Sequence, residues 1–222
     1  DAYVSDRKFS SERSLSARFL FEIDRLGCQM ADRILIDTEE NAEFFQREFG
    51  IDRGKIQVIP VGCDEAVFYP RGGSIANGRE FTVIYFGKYI PFHGVESIVE
   101  AVSILKRDGH QIKWLLIGDG QDFQKVNRLV QDLQLGGEVR LLQEWVEPEV
   151  LARWIEDSDI CLGVFGKGEK SDRVIPCKIF NALAMAKPIV TGESQAVRRV
   201  FPEGDGVLFC KRGDANALAR AV

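Results

Sequence analysis

The sequence has 222 residues, 45% of them hydrophobic and 10% aromatic, with a formal net charge of −5. This length corresponds to about one and a half typical domains, and the apolar content is ample for a packed core, which excludes a globally disordered protein. The acidic balance argues against a nucleic-acid-binding protein, which needs a concentrated basic surface, and no apolar run approaches the roughly 20 residues that span a bilayer.

The first part of the chain is predicted to contain two helices and two strands. A first helix is expected over residues 10–32. Its apolar side chains recur at helical spacing on one face and are Leu15, Phe19, Ile23 and Leu26. Because its acidic residues offset most of its basic ones, a packed helix is favoured over a basic amphipathic membrane anchor. A strand over 34–36, a helix that Thr38 caps and Gly50 ends, and a strand over 55–62 follow.

A hinge is predicted after this first part. Residues 63–79 lack sustained periodicity and are rich in Gly and Pro, a composition that is typical of linkers. We therefore predict three regions, with residues 1–64 as the end of one domain, residues 65–79 as a linker and residues 80–222 as a second domain.

Apolar strands alternate with amphipathic helices from residue 80 onwards. The predicted strands cover residues 81–87, 112–118, 139–145, 159–165, 188–193 and 206–210. The predicted helices cover residues 95–109, 123–133, 148–158, 177–186, 195–201 and 214–222. This alternation predicts an α/β fold with a doubly wound parallel sheet, Rossmann-like, and helices on both faces. Ligands bind such a sheet beyond the carboxyl ends of its strands, so the loops at those ends are the candidate sites.

The loop after the first of these strands, GKYIPFHG, has the parts of a phosphate cradle. Gly87 permits a tight turn, and Lys88 projects from the end of the strand. His93 and Gly94 lead into a helix whose N-terminal amides favour anions. A phosphate site and an ordinary solvated loop explain these residues equally well when the loop is considered alone.

An aromatic residue stands at the end of the strand predicted over 139–145. Trp145, followed by Val146, could bound a nucleobase. On the residue alone, a Trp that packs against the following helix is the more usual arrangement.

The segment FGKGEKSDRVIPCK is the most informative one. Its first part is a polar, glycine-containing loop that follows a predicted strand, and Pro176 then precedes a helix with Lys178 in its first turn. A lysine is unfavourable at a helix N-terminus, which is understandable if Lys178 faces an anion. The alternatives are a flexible solvated loop and a surface lysine.

Cysteine and histidine usage argues against a disulfide framework and a metal centre. The five cysteines are Cys28, Cys63, Cys161, Cys177 and Cys210. Their odd number and wide spacing suit neither disulfides nor a zinc site, and their apolar neighbours predict buried or half-buried thiols in a reducing compartment. The histidines are only His93 and His110, which excludes a histidine-rich metal site. We therefore expect no metal.

Taken together, the motifs FGKxxxxHG, LLIGDG, a strand ending before WV, and NALAMAKPIVTG resemble the nucleotide-sugar-binding half of GT-B glycosyltransferases of the group 1, family-four type. The resemblance covers residues 81–222, and the segment before them resembles the end of the acceptor-side domain. It implies transfer of a sugar from a nucleoside-diphosphate sugar to an acceptor hydroxyl, with retention of configuration, in glycan or polysaccharide biosynthesis.

The resemblance assigns a diphosphate site to the first loop and to the helix after Pro176. The family has an Arg and then a Lys five positions on, both directed at the donor diphosphate, and Lys88 and His93 occupy these places. A subgroup with a P-x-K motif matches Lys178, which is then implied to supply charge to the phosphates. The implied diphosphate-binding residues are Gly87, Lys88, His93, Gly94 and Lys178.

The sequence departs from the family at its paired glutamates. These would fall at Arg173 and Asn181. Asn181 could still hold the ribose by hydrogen bonding, with Trp145 and Val146 at the base, whereas Arg173 cannot imitate a carboxylate. Glu169 or Asp172 could replace the lost acid if the loop is shifted, which makes these two the candidate catalytic residues.

The resemblance also implies partners and a location. It implies a nucleotide-sugar co-substrate without a further cofactor, a sugar or lipid-linked glycan acceptor, and a cytoplasmic location. Peripheral membrane association of the full-length protein stays open. Because the acceptor-side domain is represented only by its end, we expect nucleotide binding from this chain and little transfer activity from it alone.

Three alternatives remain at this point. A GT-B-like nucleotide-sugar epimerase would share the nucleotide site, and a non-catalytic nucleotide-sugar-binding module is suggested by the missing glutamates. A dinucleotide-dependent dehydrogenase ranks third. Gly118 and Gly120 form a GxG after a strand, but Phe123 stands where the dinucleotide fingerprint needs a third glycine.

Overall fold

The computed structural model describes residues 15–72 and 80–222. The described helices are α1 (Leu15–Met30), α2 (Glu39–Phe49), α3 (Val95–Arg107), α4 (Phe123–Asp132), α5 (Pro148–Glu156), α6 (Lys170–Arg173), α7 (Cys177–Ala184), α8 (Gln195–Val200) and α9 (Ala215–Ala221). The described strands are β1 (Ile34–Ile36), β2 (Ile56–Val58), β3 (Phe81–Phe86), β4 (Ile112–Ile117), β5 (Val139–Leu142), β6 (Ile160–Leu162), β7 (Ile189–Gly192) and β8 (Val207–Cys210). The predicted start of the first helix and residues 73–79 of the predicted linker lie outside the described residues.

The first part of the chain forms a small parallel sheet of β1 and β2, with Ile34 paired to Ile56. The predicted caps of α2 are confirmed, since Thr38 Oγ1 accepts a hydrogen bond from the Asn41 amide and Gly50 ends the helix in the left-handed conformation. The strand predicted over 55–62 is shorter, because β2 ends at Val58.

The prediction that α1 packs its apolar face was wrong. Leu15 is 83% exposed and Phe19 is 67% exposed, and Ala17 is the one buried residue of this helix. Phe21 packs on Phe49 of α2, with their ring centroids 5.1 Å apart. The two three-residue strands beneath offer too little surface to cover the whole apolar stripe of a 16-residue helix.

The second part confirms the doubly wound α/β prediction. Its six strands are all parallel, in the order β5-β4-β3-β6-β7-β8. Alternate side chains of β3 enter two separate cores: Val83 and Tyr85 pack in the core that contains residues of α3, α4 and α9, and Ile84 and Phe86 pack in the core with residues of α5, α7 and α8. The residues predicted to form the apolar face of α3 are all buried, and these are Val95, Ile98, Val99, Val102 and Leu105.

Two local predictions need correction. The loop predicted between β6 and α7 contains a short helix, α6, whose four residues are too few to show a helical period in the sequence. The cysteines are free, and Cys161 and Cys210 are buried and Cys28 and Cys63 half-buried as predicted, but Cys177 is exposed. It lies in the first turn of α7, a position where apolar neighbours in sequence do not ensure burial.

The chain order of the strands reverses at β3. This strand has β4 on one side and β6 on the other, so the connections leave its carboxyl end in opposite directions, and open α/β sheets bind ligands in the crevice expected at such a point. The loops after β3 and β6 meet at this crevice, where the Phe165 amide donates to His93 O at 2.9 Å. Gly94 has a φ of 63°, and a Cβ atom there would lie 2.7 Å from the backbone of both Phe165 and Gly166. Only glycine permits this approach.

Gly94→Ala tests the close approach of these two loops. The added Cβ atom must displace the backbone after β6, and an alanine must also adopt the left-handed conformation of Gly94. We therefore expect a loss of about 3 kcal/mol in the free energy of unfolding. Gly109→Ala, at the other end of α3, is the control, because Gly109 also has a positive φ and nothing within 4 Å of the added Cβ. We expect about 1 kcal/mol there. Denaturant unfolding measures both, and equal losses would contradict the account.

Candidate functional site

The candidate site lies where the sheet order reverses. Beyond the carboxyl end of β3, Gly87 has a φ of 141°. A Cβ atom at Gly87 would lie 3.0 Å from Lys178 Nζ and 3.4 Å from His93 Cε1. The loop after β3 and the first turn of α7 therefore converge on this glycine. Gly87, His93, Lys178 and the adjacent Tyr85 form a group that we call the switch-point cluster.

Lys178 is the buried cation of the cluster. It is 3% exposed, and its Nζ has no hydrogen-bond partner among the described residues. Nζ lies 4.1 Å from the centroid of the Tyr85 ring, a cation–π contact that replaces only part of the lost hydration. Burial lowers the pKa of Lys178 to about 7. The surface-lysine alternative was therefore wrong, and a negatively charged group is the partner that this side chain lacks.

His93 is tied to the sheet by Tyr85. Tyr85 Oη donates to Lys88 O at 2.8 Å and lies 2.7 Å from His93 Nδ1. Burial and the charge of Lys178, with a smaller effect of the Lys88 charge, lower the pKa of His93 to about 2, and a hydrogen bond to the Lys88 backbone offsets only part of this, so the imidazole is neutral at neutral pH. His93 is one of three predicted diphosphate-binding residues in the cluster, with Gly87 and Lys178. It carries no charge.

Sequence reasoning missed Tyr85, which it assigned only to the core of a strand. The side chain is fully buried, and burial raises the pKa of its hydroxyl well above the usual value. A signal was present in the sequence: a tyrosine in an otherwise apolar buried strand must find a partner for its hydroxyl. The sequence did not show that this partner is the loop that carries the candidate residues.

The other two predicted diphosphate ligands lie at the entrance of the cluster. Lys88 is exposed and forms no ion pair among the described residues. Gly94 is the N-cap of α3, where no side chain caps the helix. The Ser97 amide donates to Gly94 O, so the amides of Val95 and Glu96 are the ones available to an anion, directly after His93.

The residues predicted for the base follow β5, and the residue predicted for the ribose lies on α7. Trp145 is 77% exposed, so the alternative in which it packs on the following helix was wrong. It follows β5, two strands from β3, a separation of roughly 10 Å. Val146 packs against the core on one face of the sheet. Asn181 is half-buried and lies three residues after Lys178, on the same side of α7.

The two candidate catalytic acids differ in their contacts. Asp172 forms an ion pair with Arg212, whose Nη2 lies 2.8 Å from Asp172 Oδ2. Glu169 precedes α6 and is exposed, and its carboxylate makes no ion pair or hydrogen bond within the described part of the chain. Neither carboxylate is brought into contact with Lys178 or His93.

Arg173, at the position of the family's first glutamate, connects the two parts of the chain. Its guanidinium lies 3.6 Å from the ring centroid of Phe44 in α2, and Nη1 donates to Asn41 Oδ1 at 3.3 Å. Thr38 Oγ1 donates to Arg173 O at 2.5 Å. The side chain that replaces a carboxylate is therefore used to hold α6 against α2.

Neither a metal-binding cluster nor a membrane-spanning helix is found in the described part of the chain. Among residues 15–72 and 80–222, no three His, Cys, Asp or Glu side chains group so as to hold a metal ion. The Asp-x-Asp triplet at 157–159 precedes β6 at the opposite edge of the sheet, where Asp159 accepts from the Thr82 amide. None of the helices in the described ranges is long and apolar enough to cross a membrane.

Lys178→Met measures the cost of burying this ammonium group. Between pH 7 and 10.5 the unfolded chain keeps a proton on Lys178 that the folded chain loses, so stability rises with pH in this window. Below pH 7 both states are protonated and the full penalty applies. At pH 6 we therefore expect the variant to be more stable than the wild type by at least about 1 kcal/mol, or about 2–4 °C in melting temperature.

The gain from Lys178→Met should shrink above pH 7 by up to roughly 1.4 kcal/mol per pH unit. Thermal unfolding at pH 6 and pH 9 checks this. Lys113→Met, at an exposed position near the start of β4, is the control and should show no such pH dependence. A Lys178→Met variant that is less stable than the wild type at pH 6 would contradict the assignment.

Comparison with known proteins identifies the family. The family model for glycosyl transferases group 1 matches residues 80–222. The chain is 28% identical over 142 residues to the lipopolysaccharide core biosynthesis glycosyltransferase LpsE of Rhizobium meliloti, covering 63% of this chain and 38% of LpsE. It is 26% identical over 127 residues to the amylovoran biosynthesis glycosyltransferase AmsK of Erwinia amylovora, covering 57% and 31%. The chain spans less than half the length of the curated relatives that it matches.

Solved structures share the fold. Sucrose-phosphate synthase from Thermosynechococcus elongatus matches with a TM-score of 0.74 and 24% identity, over 94% of this chain and 53% of that one. Anabaena Alr3699/HepE in complex with UDP and glucose matches with a TM-score of 0.75 and 16% identity, over 95% and 57%. Together with the family model over 80–222, these matches confirm the Rossmann-like half of a GT-B fold, and the chain belongs to the group 1 glycosyl transferases.

Proposed function

We propose that this chain carries the donor-binding half of a glycosyltransferase that moves a sugar from a nucleoside-diphosphate sugar to an acceptor hydroxyl in glycan or polysaccharide biosynthesis. The observation that carries the proposal is the buried Lys178 ammonium, which has no anionic partner among the described residues and lies at the reversal of the strand order. A diphosphate supplies the charge that the site lacks. The names of LpsE and AmsK, and the UDP and glucose bound to HepE, support this ligand class.

The proposed role of the cluster is to stabilise the leaving diphosphate. Negative charge develops on the diphosphate as the bond to the sugar breaks, so cations and amides aimed at this position lower the barrier. Lys178 acts from within the protein, where a charge interaction is less screened by water, and Lys88 and the first-turn amides of α3 act from the entrance. Retention of configuration belongs to the proposal through the family resemblance.

The nucleoside is proposed to extend from the cluster toward β5. An exposed Trp145 about two strand spacings from β3 can stack on a base while the diphosphate contacts Lys178. Asn181, on the same side of α7 as Lys178, offers an amide to ribose hydroxyls without adding charge. The acceptor, a sugar or a lipid-linked glycan, and a peripheral membrane site concern the whole protein and are proposed from the family alone.

A second candidate function is a non-catalytic nucleotide-sugar-binding module. Arg173 replaces the first family glutamate and packs on Phe44 of α2, while Asp172 forms an ion pair with Arg212. Of the two candidate acids, only Glu169 has a carboxylate without a partner in the described part of the chain. The full-length protein decides between the two, because a binding module would take up the donor and leave it intact with every acceptor, water included.

Calorimetric titration with UDP, GDP, ADP and their sugar conjugates tests the diphosphate site. We expect one nucleotide series to bind, and Lys178→Met to weaken it by about 10- to 100-fold, because a charge-assisted hydrogen bond contributes about 1.5–3 kcal/mol. Lys88→Ala should weaken it by only a few fold, and this effect should fade with added salt, because Lys88 is exposed. Lys113→Met is the neutral control. Unchanged affinity in both the Lys178 and Lys88 variants would exclude the assignment.

Trp145 gives an independent test of the direction of the nucleoside. Stacking on an exposed indole should quench its fluorescence, and Trp145→Ala should abolish this quenching and reduce affinity by about 1–3 kcal/mol. Trp154, half-buried in α5, is the control, since Trp154→Phe should leave the quenching in place. Full quenching in Trp145→Ala would place the base elsewhere.

A further inference from the structure

Tyr85 contacts three different parts of the switch-point cluster at once. Its hydroxyl bonds to the backbone carbonyl of Lys88 and lies beside His93 Nδ1, and its ring supports Lys178 Nζ. The side chain is completely buried between β3 and the helices that cover it. The sheet therefore fixes the position of Tyr85, and the contacts of Tyr85 in turn position His93 and Lys178.

The single proton of the Tyr85 hydroxyl determines the protonation of His93. The hydroxyl lies 2.8 Å from Lys88 O, which can only accept, and 2.7 Å from His93 Nδ1. A proton on Nδ1 satisfies both contacts, because the hydroxyl then donates to Lys88 O and accepts from Nδ1, whereas an unprotonated Nδ1 leaves two acceptors for one proton. A second proton on the imidazole is opposed by burial and by Lys178 and Lys88, which face it from α7 and from its own loop. The other ring nitrogen, Nε2, is therefore a lone-pair acceptor.

We propose that Tyr85 is a positioning residue of the donor site, which holds His93 in the neutral tautomer with its proton on Nδ1, so that Nε2 accepts a hydrogen bond from a hydroxyl group of the sugar nucleotide. The tautomer follows from the contacts within the protein, and the ligand rests on the proposed function. Phosphate oxygens also only accept at neutral pH, so they are poor partners for this nitrogen. His93 thus takes a role different from the one that the family position implies, while Lys178 and Lys88 retain the diphosphate.

Two hydroxyl sources share this chemistry, the ribose and the transferred sugar. Both flank the diphosphate in a sugar nucleotide, and both can donate to an imidazole nitrogen. In either case the interaction selects for a hydroxyl in one position, because an analogue that lacks it leaves the nitrogen unpaired. His93 would then contribute to specificity, and Tyr85 would contribute through it.

Nitrogen-15 NMR of the ligand-free protein tests the tautomer directly. The chain has only two histidines, and His110→Gln removes the second signal to assign His93. We expect protonated Nδ1 and unprotonated Nε2 in the wild type, unchanged between pH 5 and pH 8. In Tyr85→Phe, which keeps the ring beneath Lys178, the two tautomers should mix. A wild-type His93 with its proton on Nε2, or one that titrates near pH 6.5, would overturn the proposal.

Binding measurements separate the two hydroxyl sources. If the transferred sugar donates to His93, Tyr85→Phe should lower the affinity for UDP-glucose about 5- to 10-fold and leave that for UDP within twofold. If the ribose donates, Tyr85→Phe should lower the affinities for UDP-glucose and UDP by the same factor. The affinity for 2′,3′-dideoxy-UDP, which lacks the ribose hydroxyls, should not change. Equal losses for all three probes, or no loss for any, would overturn the role of His93.

Failure of the proposed function can be distinguished from failure of the role proposed for Tyr85. If the wild type binds none of UDP, GDP, ADP and their sugar conjugates, the donor-site proposal fails, while the NMR of the ligand-free protein still decides whether Tyr85 sets the tautomer of His93. If the wild type binds UDP-glucose and its His93 carries a proton on Nε2, the donor site stands and the role of Tyr85 is refuted.

Discussion

A buried ammonium group without an anion is the constraint on which the site depends. Moving Lys178 out of water costs free energy that its contact with the Tyr85 ring offsets only in part, and the lowered pKa expresses this imbalance. A protein retains such a residue when a ligand compensates its charge in the working state. The same imbalance destabilises the ligand-free form, so stability and the proposed binding function oppose each other at one side chain.

The fold creates this constraint through strand order and close backbone approach. Because β3 lies between β4 and β6, the loop after β3 and the start of α7 reach the same edge of the sheet. Gly94 lets the loop lie against the backbone after β6, and Gly87 leaves room for Lys178 and His93 above the end of the strand. Arg173 of α6 stands where the family has a glutamate. Its contacts with Phe44 and Asn41 of α2 hold the first part of the chain to this arrangement. The proposed donor site and the junction of the two parts are thus adjacent in sequence.

Much of this architecture could be predicted, because the signals are periodic. The strands from residue 80 onwards bury most of their side chains and appear as apolar runs, and α3 shows its apolar face through residues such as Ile98 and Leu105. The four-residue α6 and the exposed face of α1 could not be predicted in the same way, since the first is too short for a period and the second depends on what lies against the helix. Lys178 was identified by its unusual place in a helix N-terminus, whereas its burial depends on tertiary packing. The contacts of Tyr85 needed the loop geometry.

Proton uptake on nucleotide binding tests the central claim most directly. At pH 8 most of the Lys178 side chains of the free protein should be neutral, and a diphosphate should restore the charged form, so binding should take up close to one proton. Calorimetry of the same titration in buffers of different ionisation enthalpy measures this number. The account requires uptake in the wild type and its loss in Lys178→Met. Binding without proton uptake in the wild type, at an affinity that Lys178→Met leaves unchanged, would contradict it.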